Sequence, residues 1–127
     1  MKETLKSLSD NGIKLGIASS KPTAFIESIL NSSDLYQYFD AVIGVDMNDH
    51  ESNKTRLIKR CLDKMNVFDI SKAVMVGDRH FDINGAKGAG IKSIGVLYGY
   101  GNRKEFEDAG SDFIVKTPKD ILDIIFN

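Results

Sequence analysis

The sequence predicts an α/β fold, a mostly parallel sheet with helices on both faces. Three observations carry that prediction. Short apolar runs alternate with amphipathic stretches of helical period along the chain. The connections between them are short. The run Ala73-Val74-Met75-Val76 has no polar residue, as in a buried parallel strand, and passes directly into Gly77-Asp78.

Residues 2–9 place Leu5 and Leu8 among polar side chains, and Asn11-Gly12 follows as a C-cap signal, so they form an amphipathic helix. Residues 13–19, with Leu15, Ile17 and Ala18, predict a strand ending in Ser19-Ser20. The next helix opens with Ser20-Lys21-Pro22, where Ser can cap and Pro is tolerated in the first turn, and Phe25, Ile26, Ile29 and Leu30 give it a buried face. Asn31 to Asp34 and the aromatics Tyr36, Tyr38 and Phe39 make a loop or turn packed beneath the sheet. Residues 41–45 are a second strand, 46–53 an acidic loop, and 54–65 a helix with Leu57, Ile58, Cys61, Leu62 and Met65 on one side.

The strand of residues 73–76 comes next, followed by a short helix over 83–89 that Gly85, Gly88 and Gly90 weaken. Residues 93–97 predict a strand and Tyr98-Gly99-Tyr100-Gly101 a loop. Residues 103–109 are helical, 112–115 a strand, and 118–126 a closing helix started by Thr117-Pro118. No repeat, low-complexity tract or linker interrupts the pattern, so residues 1–127 read as a single domain.

The 127 residues are 42% hydrophobic and 28% charged, enough for one ordinary core. A formal net charge of -1 gives no electrostatic case for binding nucleic acid or an anionic membrane. No apolar run reaches the roughly 18 residues of a membrane span, and the first residues have no signal-peptide core, so a cytoplasmic location is expected. The one cysteine, Cys61, excludes an intramolecular disulfide and reads as buried filler.

Asp78 would sit at the tip of its strand and Asp82 four residues on, where a helix starts. In open α/β sheets ligands bind outside the carboxyl ends of the strands. Two carboxylates there, beside a glycine that lets backbone approach, suit a hard divalent cation. The same residues also suit plain capping. Asp is a favoured N-cap, and acids four apart on an exposed helix repel by only about 0.2–0.5 kcal/mol. Ser19 and the amides of Ser20 and Lys21 offer a phosphate site at a helix start, or they only cap that helix. Lys54 opens a helix against its dipole, as a cation facing a bound anion or as a solvated lysine. His50 and His80 read as loop residues, and Arg79 as a contact for a substrate carboxylate or a surface ion pair.

In order and spacing these residues resemble the haloacid dehalogenase-like (HAD) hydrolase superfamily, in its phosphoglycolate phosphatase-like branch. The second motif is similar to Ile17-Ala18-Ser19-Ser20-Lys21-Pro22, the third to Lys54, and the fourth to Gly77-Asp78-Arg79-His80-Phe81-Asp82. The likeness continues through Gly85 to Ile91 and through Ile94 to Gly101, and so covers nearly the whole chain. It implies a Rossmann-like sheet and a Mg²⁺-dependent phosphatase acting on a small phosphorylated metabolite, a phosphoglycolate- or nucleotide-type monoester. Ser19 would hydrogen-bond the transferring phosphoryl group with help from the Ser20 amide, and Lys54 would neutralise phosphate charge and orient the nucleophile. Asp78 would ligate Mg²⁺, and Asp82 would support the metal shell or Lys54.

The first motif of that family, an apolar strand followed by D-x-D-G-T, carries the nucleophile and precedes the others. No Asp-x-Asp occurs in this chain, and Asp46 follows a strand in the wrong order and without the Gly-Thr. The resemblance therefore implies a C-terminal portion of such an enzyme, without nucleophile strand or cap and inactive or nearly so by itself. The strands of Ser19 and Asp78 would then present open edges about 10 Å apart, inviting homodimerisation or a domain swap. Two other readings are a non-catalytic remnant binding phosphate, metal or a partner chain, and a receiver-like signalling domain. The serine turn and the Asp78–Asp82 spacing favour the phosphatase lineage over the receiver.

Overall fold

The computed structural model describes residues 2–45 and 53–126, which fall into two compact units, Lys2–Phe68 and a second that begins at Asp69. Within each, strands and helices alternate and every strand pairing is parallel. That is the predicted α/β pattern.

In the first unit α1 (Lys2–Asp10) buries Thr4 and Leu8. Gly12 is left-handed at φ 77°, and the Ile13 amide returns to the Leu8 carbonyl at 3.0 Å. That cap consumes Ile13, and Leu15 bonds Asp40 through both its amide and its carbonyl. Strand β1 (Gly16–Pro22) therefore starts three residues later than the apolar pattern predicts. It pairs with β2 (Ala41–Val45), whose bounds are as predicted.

The larger correction is at the other end of β1. Ser20-Lys21-Pro22 does not open a helix. Helix α2 (Thr23–Ser32) starts after Pro22, which is its N-cap at φ -57° and ψ 138° and lends no side-chain bond. A residue preceding proline is pushed out of the helical region, which keeps Lys21 extended. In the register Ala18 faces Ile43 and Pro22 faces Val45, so Ser19, Ser20 and Lys21 stand opposite Gly44 alone and bulge. Of the expected face of α2, Ile26 and Leu30 are buried, while Phe25 and Ile29 lie to one side and remain about half exposed. The aromatic turn is a 3-10 turn at Tyr36–Tyr38, with Tyr36 exposed rather than packed away.

Of the predicted acidic loop only Asn53 is described; Asp46 to Ser52, with His50, lie outside the described residues. Helix α3 (Lys54–Lys64) is capped by Asn53, whose side chain accepts the Arg56 amide at 3.2 Å. It buries Leu57, Ile58, Cys61 and Leu62 as its period predicts.

The second unit holds a three-stranded sheet in the order β3 (Val74–Gly77), β4 (Lys92–Val96), β5 (Phe113–Val115). Its core joins Ile94, Val96 and Val115 to Ile121 of α6 (Pro118–Phe126). Among the described residues β3 pairs within its own sheet only with β4, and Val76, expected to be buried, is 37% exposed. Ser93 of β4 is 1% exposed, and its hydroxyl has no hydrogen-bond partner among the described residues.

Helix α4 (His80–Ala89) begins at His80, earlier than predicted, so His80 is helical and not a loop residue. The glycines do not shorten it: Gly85 is on the buried face, and Gly90 ends it at φ 77°. Helix α5 (Arg103–Ala109) buries Phe106 completely and is capped by Asn102, which accepts the Glu105 amide at 2.9 Å. Among the described residues no helix is long and apolar enough to cross a membrane.

Candidate functional site

The turn between β3 and α4 places Asp78 at the strand tip and Asp82 in the first helical turn. Asp82 is 8% exposed and turns its carboxylate back, so that Oδ2 accepts the amides of Asp78 at 3.2 Å and Arg79 at 3.4 Å. A carboxylate on orphan amides at a helix start gains from the bonds and the dipole together. Gly77 makes this possible, because a Cβ there would stand 2.5 Å from Asp82 Oδ2.

Asp78 is gripped from the opposite side by residues 98–101. Its carbonyl accepts the Gly101 amide at 2.7 Å, and its Oδ2 accepts the Tyr100 amide at 3.3 Å. A Cβ on Gly99 would come 2.7 Å from the same Oδ2, so only glycine lets the loop close over this carboxylate. Oδ1 of Asp78 takes no hydrogen bond from the described residues. The group is half-buried, oriented at both ends, and left with one unspent oxygen.

The amide of His80, next in line, is taken by Glu105 Oε2 at 2.7 Å. The amides of Asp78, Arg79 and His80 are thus all filled by the protein's own carboxylates. None of these three amides is left for phosphate. What this helix start offers instead is a carboxylate oxygen, which suits a cation. Among the described residues no three His, Cys, Asp or Glu side chains form a ready cation cage. Mg²⁺ asks for less, since it keeps several waters and binds through one or two carboxylates plus substrate phosphates. Asp78 fits that demand. Asp82 has spent Oδ2 on backbone, so its fit is as the residue that fixes Asp78.

In the first unit the bulge puts Ser19, Ser20 and Lys21 at the carboxyl end of β1. Ser19 is half-buried, and its Oγ accepts the Lys21 amide at 3.2 Å, a local turn in place of the predicted helix cap. Bulges re-aim side chains at strand ends, and here it separates Ser19 from the ladder. Lys54 donates from Nζ to the Ala18 carbonyl at 2.7 Å. Lys54 is therefore brought to the residue before Ser19, within one unit.

Glu105 was not among the residues singled out from sequence. Its Oε2 accepts the Arg79 Nε at 3.0 Å and faces His80 Nδ1 at 3.0 Å, besides the His80 amide. These donors, the His80 amide first, hold its carboxyl down at about 2. The signal was Asn102-Arg103-Lys104-Glu105, a capping pattern that turns the glutamate back over its helix start. Arg79 makes the ion pair, with its guanidinium 5.5 Å from the Phe81 ring centre. Cys61 is filler, as expected, its thiol pushed up to about 11 chiefly by burial. Burial also raises Tyr98, while Tyr100 is 90% exposed.

Residues 1–96 match the haloacid dehalogenase-like hydrolase family. The phosphoglycolate phosphatase of Vibrio parahaemolyticus is 30% identical over 125 residues, 98% of this chain and 54% of the relative. That of Escherichia coli is 31% identical over 120 residues, 94% and 47%. A solved structure from Clostridium difficile, assigned as a phosphatase, is 46% identical with a TM-score of 0.94, covering 98% of this chain and 58% of that one. The HAD phosphatase of Thermococcus onnurineus is 27% identical with a TM-score of 0.79, covering 97% and 55%. The chain spans about half the length of the curated relatives it matches.

Proposed function

The chain belongs to the haloacid dehalogenase-like hydrolases, and from that membership we propose that the protein carrying it is a Mg²⁺-dependent phosphatase of a small phosphorylated metabolite, a monoester of phosphoglycolate or nucleotide type. The reading takes residues 1–127 as one HAD-like core domain of a cytoplasmic enzyme. Asp78 carries it, as a strand-tip carboxylate with two hydrogen bonds fixing it and one oxygen to spare.

In this reading Asp78 holds the metal and Asp82 supports it through the Asp78 amide. When bound, Mg²⁺ supplies charge neutralisation at phosphate oxygens. Ser19 hydrogen-bonds the phosphoryl group beside the Ser20 amide. Lys54, tied to Ala18, brings a fixed positive charge to the same strand end. Phosphoryl transfer asks for positioning and charge stabilisation, and each of these groups is of a kind that supplies one of them. The test is hydrolysis of p-nitrophenyl phosphate and phosphoglycolate by the full-length protein, with and without EDTA. Metal-dependent turnover lost in Asp78→Ala supports the reading; turnover indifferent to EDTA and to Asp78→Ala overturns it.

One observation favours a second reading. Among the described residues, strands β1 and β3 each bond a neighbour on one side only within their own sheets. Open parallel edges are templates for pairing. A non-catalytic chain that dimerises or swaps segments through them would sediment as a concentration-dependent dimer and show no turnover.

A further inference from the structure

We propose that Glu105 is a positioning residue for Asp78, holding the β3–α4 turn in the geometry that presents the free Asp78 oxygen to a metal. The inference rests on Asp78 being the metal ligand.

The segment 100–105 grips residues 78–80 at both its ends. The Tyr100 and Gly101 amides hold the Asp78 side chain and carbonyl. Glu105 Oε2 takes the His80 amide, Arg79 Nε and His80 Nδ1, all on the two residues that follow Asp78. Because the carboxylate only accepts, His80 Nδ1 donates. Glu105 is itself fixed, since its amide is held by Asn102 and the next side chain, Phe106, is fully buried. Without Glu105 the His80 amide loses its partner and Arg79 loses its ion pair. Of the two carboxylates that hold this turn, only Asp82 then remains.

A simple staple between helices would use one contact to tie α5 to α4 and would act on stability only. Glu105 instead places all three of its bonds on the two residues that follow the proposed metal ligand, the N-cap Arg79 and the first helical residue His80. Residues that orient a metal ligand from behind typically change metal affinity about 10- to 100-fold when removed. A staple would not.

The experiment uses the full-length protein and its Glu105→Ala and Glu105→Gln variants. Mn²⁺ binding is measured by electron paramagnetic resonance without substrate, alongside thermal unfolding. Glu105→Ala is expected to weaken Mn²⁺ binding by about 10-fold or more. Glu105→Gln, which keeps one acceptor oxygen, is expected to fall between the two. The Mg²⁺ concentration for half-maximal turnover should rise in parallel, with KM at saturating Mg²⁺ unchanged. Mn²⁺ affinity within about twofold of wild type in both variants, with or without a lower Tm, overturns the proposal and makes Glu105 a staple. If Glu105→Ala does not fold, Glu105→Gln decides by the same threshold. Failure of the wild type to bind Mn²⁺ overturns the reading of Asp78 and this inference with it, and is told apart because it needs no variant.

Discussion

The Lys54 ammonium donates to the main-chain oxygen of Ala18 at 2.7 Å, which ties the first side chain of α3 to the residue before Ser19. A cation at a helix N-terminus works against the dipole. The Ala18 carbonyl supplies part of the reason for it, because it holds the lysine across to the end of β1.

Replacement of Lys54 by Met should lower turnover of the full-length enzyme by about 100-fold or more, as removal of a fixed charge stabiliser does. The lost hydrogen bond, about 1.5–3 kcal/mol for a charged donor, should lower Tm by several degrees. Steady-state kinetics with a melting curve check both. A Tm loss with unchanged turnover would leave Lys54 a structural residue.

Gly99→Ala would press a methyl to 2.7 Å from Asp78 Oδ2. Overpacking of this kind costs about 1–3 kcal/mol. Tyr100→Ala removes a side chain that is 90% exposed, and should stay within about 0.5 kcal/mol of wild type. Urea unfolding of the pair measures the contrast. Equal stabilities would mean that the loop does not close over Asp78 in solution.

Glu105 makes stability fall with acid. Its carboxyl sits near 2 in the folded protein, below the usual value of 4.5, so the folded state favours the ionised form. That stability is complete above about pH 4.5 and drains away as pH drops towards 2. Wild type should exceed Glu105→Gln in Tm at pH 6, with the gap narrowing between pH 4.5 and 2. A gap constant across that window would show that the carboxylate is not held by its partners.

Ser93→Ala should stabilise the protein. The hydroxyl is buried without a partner among the described residues, and an unsatisfied buried polar group costs about 1–3 kcal/mol. Losing the oxygen leaves a void of one atom, so a net gain of about 1 kcal/mol is expected. A lower urea midpoint in the variant would contradict it.

What the sequence made legible was local. Strand β2 lies where its apolar run predicts, Lys54 begins its helix, and Asp78 and Asp82 straddle a strand tip and a helix start. What it hid depends on partners far along the chain. The bulge at Ser19 to Lys21 arises from pairing with β2, so the serine-proline turn read as a helix start. Glu105 meets Arg79 from 26 residues away. Nothing near either residue names the other; only the capping pattern after Asn102 hinted that the glutamate turns back. Val76 read as buried because both faces of a parallel sheet are normally covered, yet it is 37% exposed among the described residues.

The amides at the start of α4 are filled from within by Asp82 and Glu105. A phosphatase releases inorganic phosphate, which helix starts ordinarily attract. Here three amides of that trap are already occupied, so a phosphate ion would meet two fixed carboxylates in their place. In the proposed phosphatase, the turn that orients Asp78 would thereby also keep three amides of its own helix start from retaining the product.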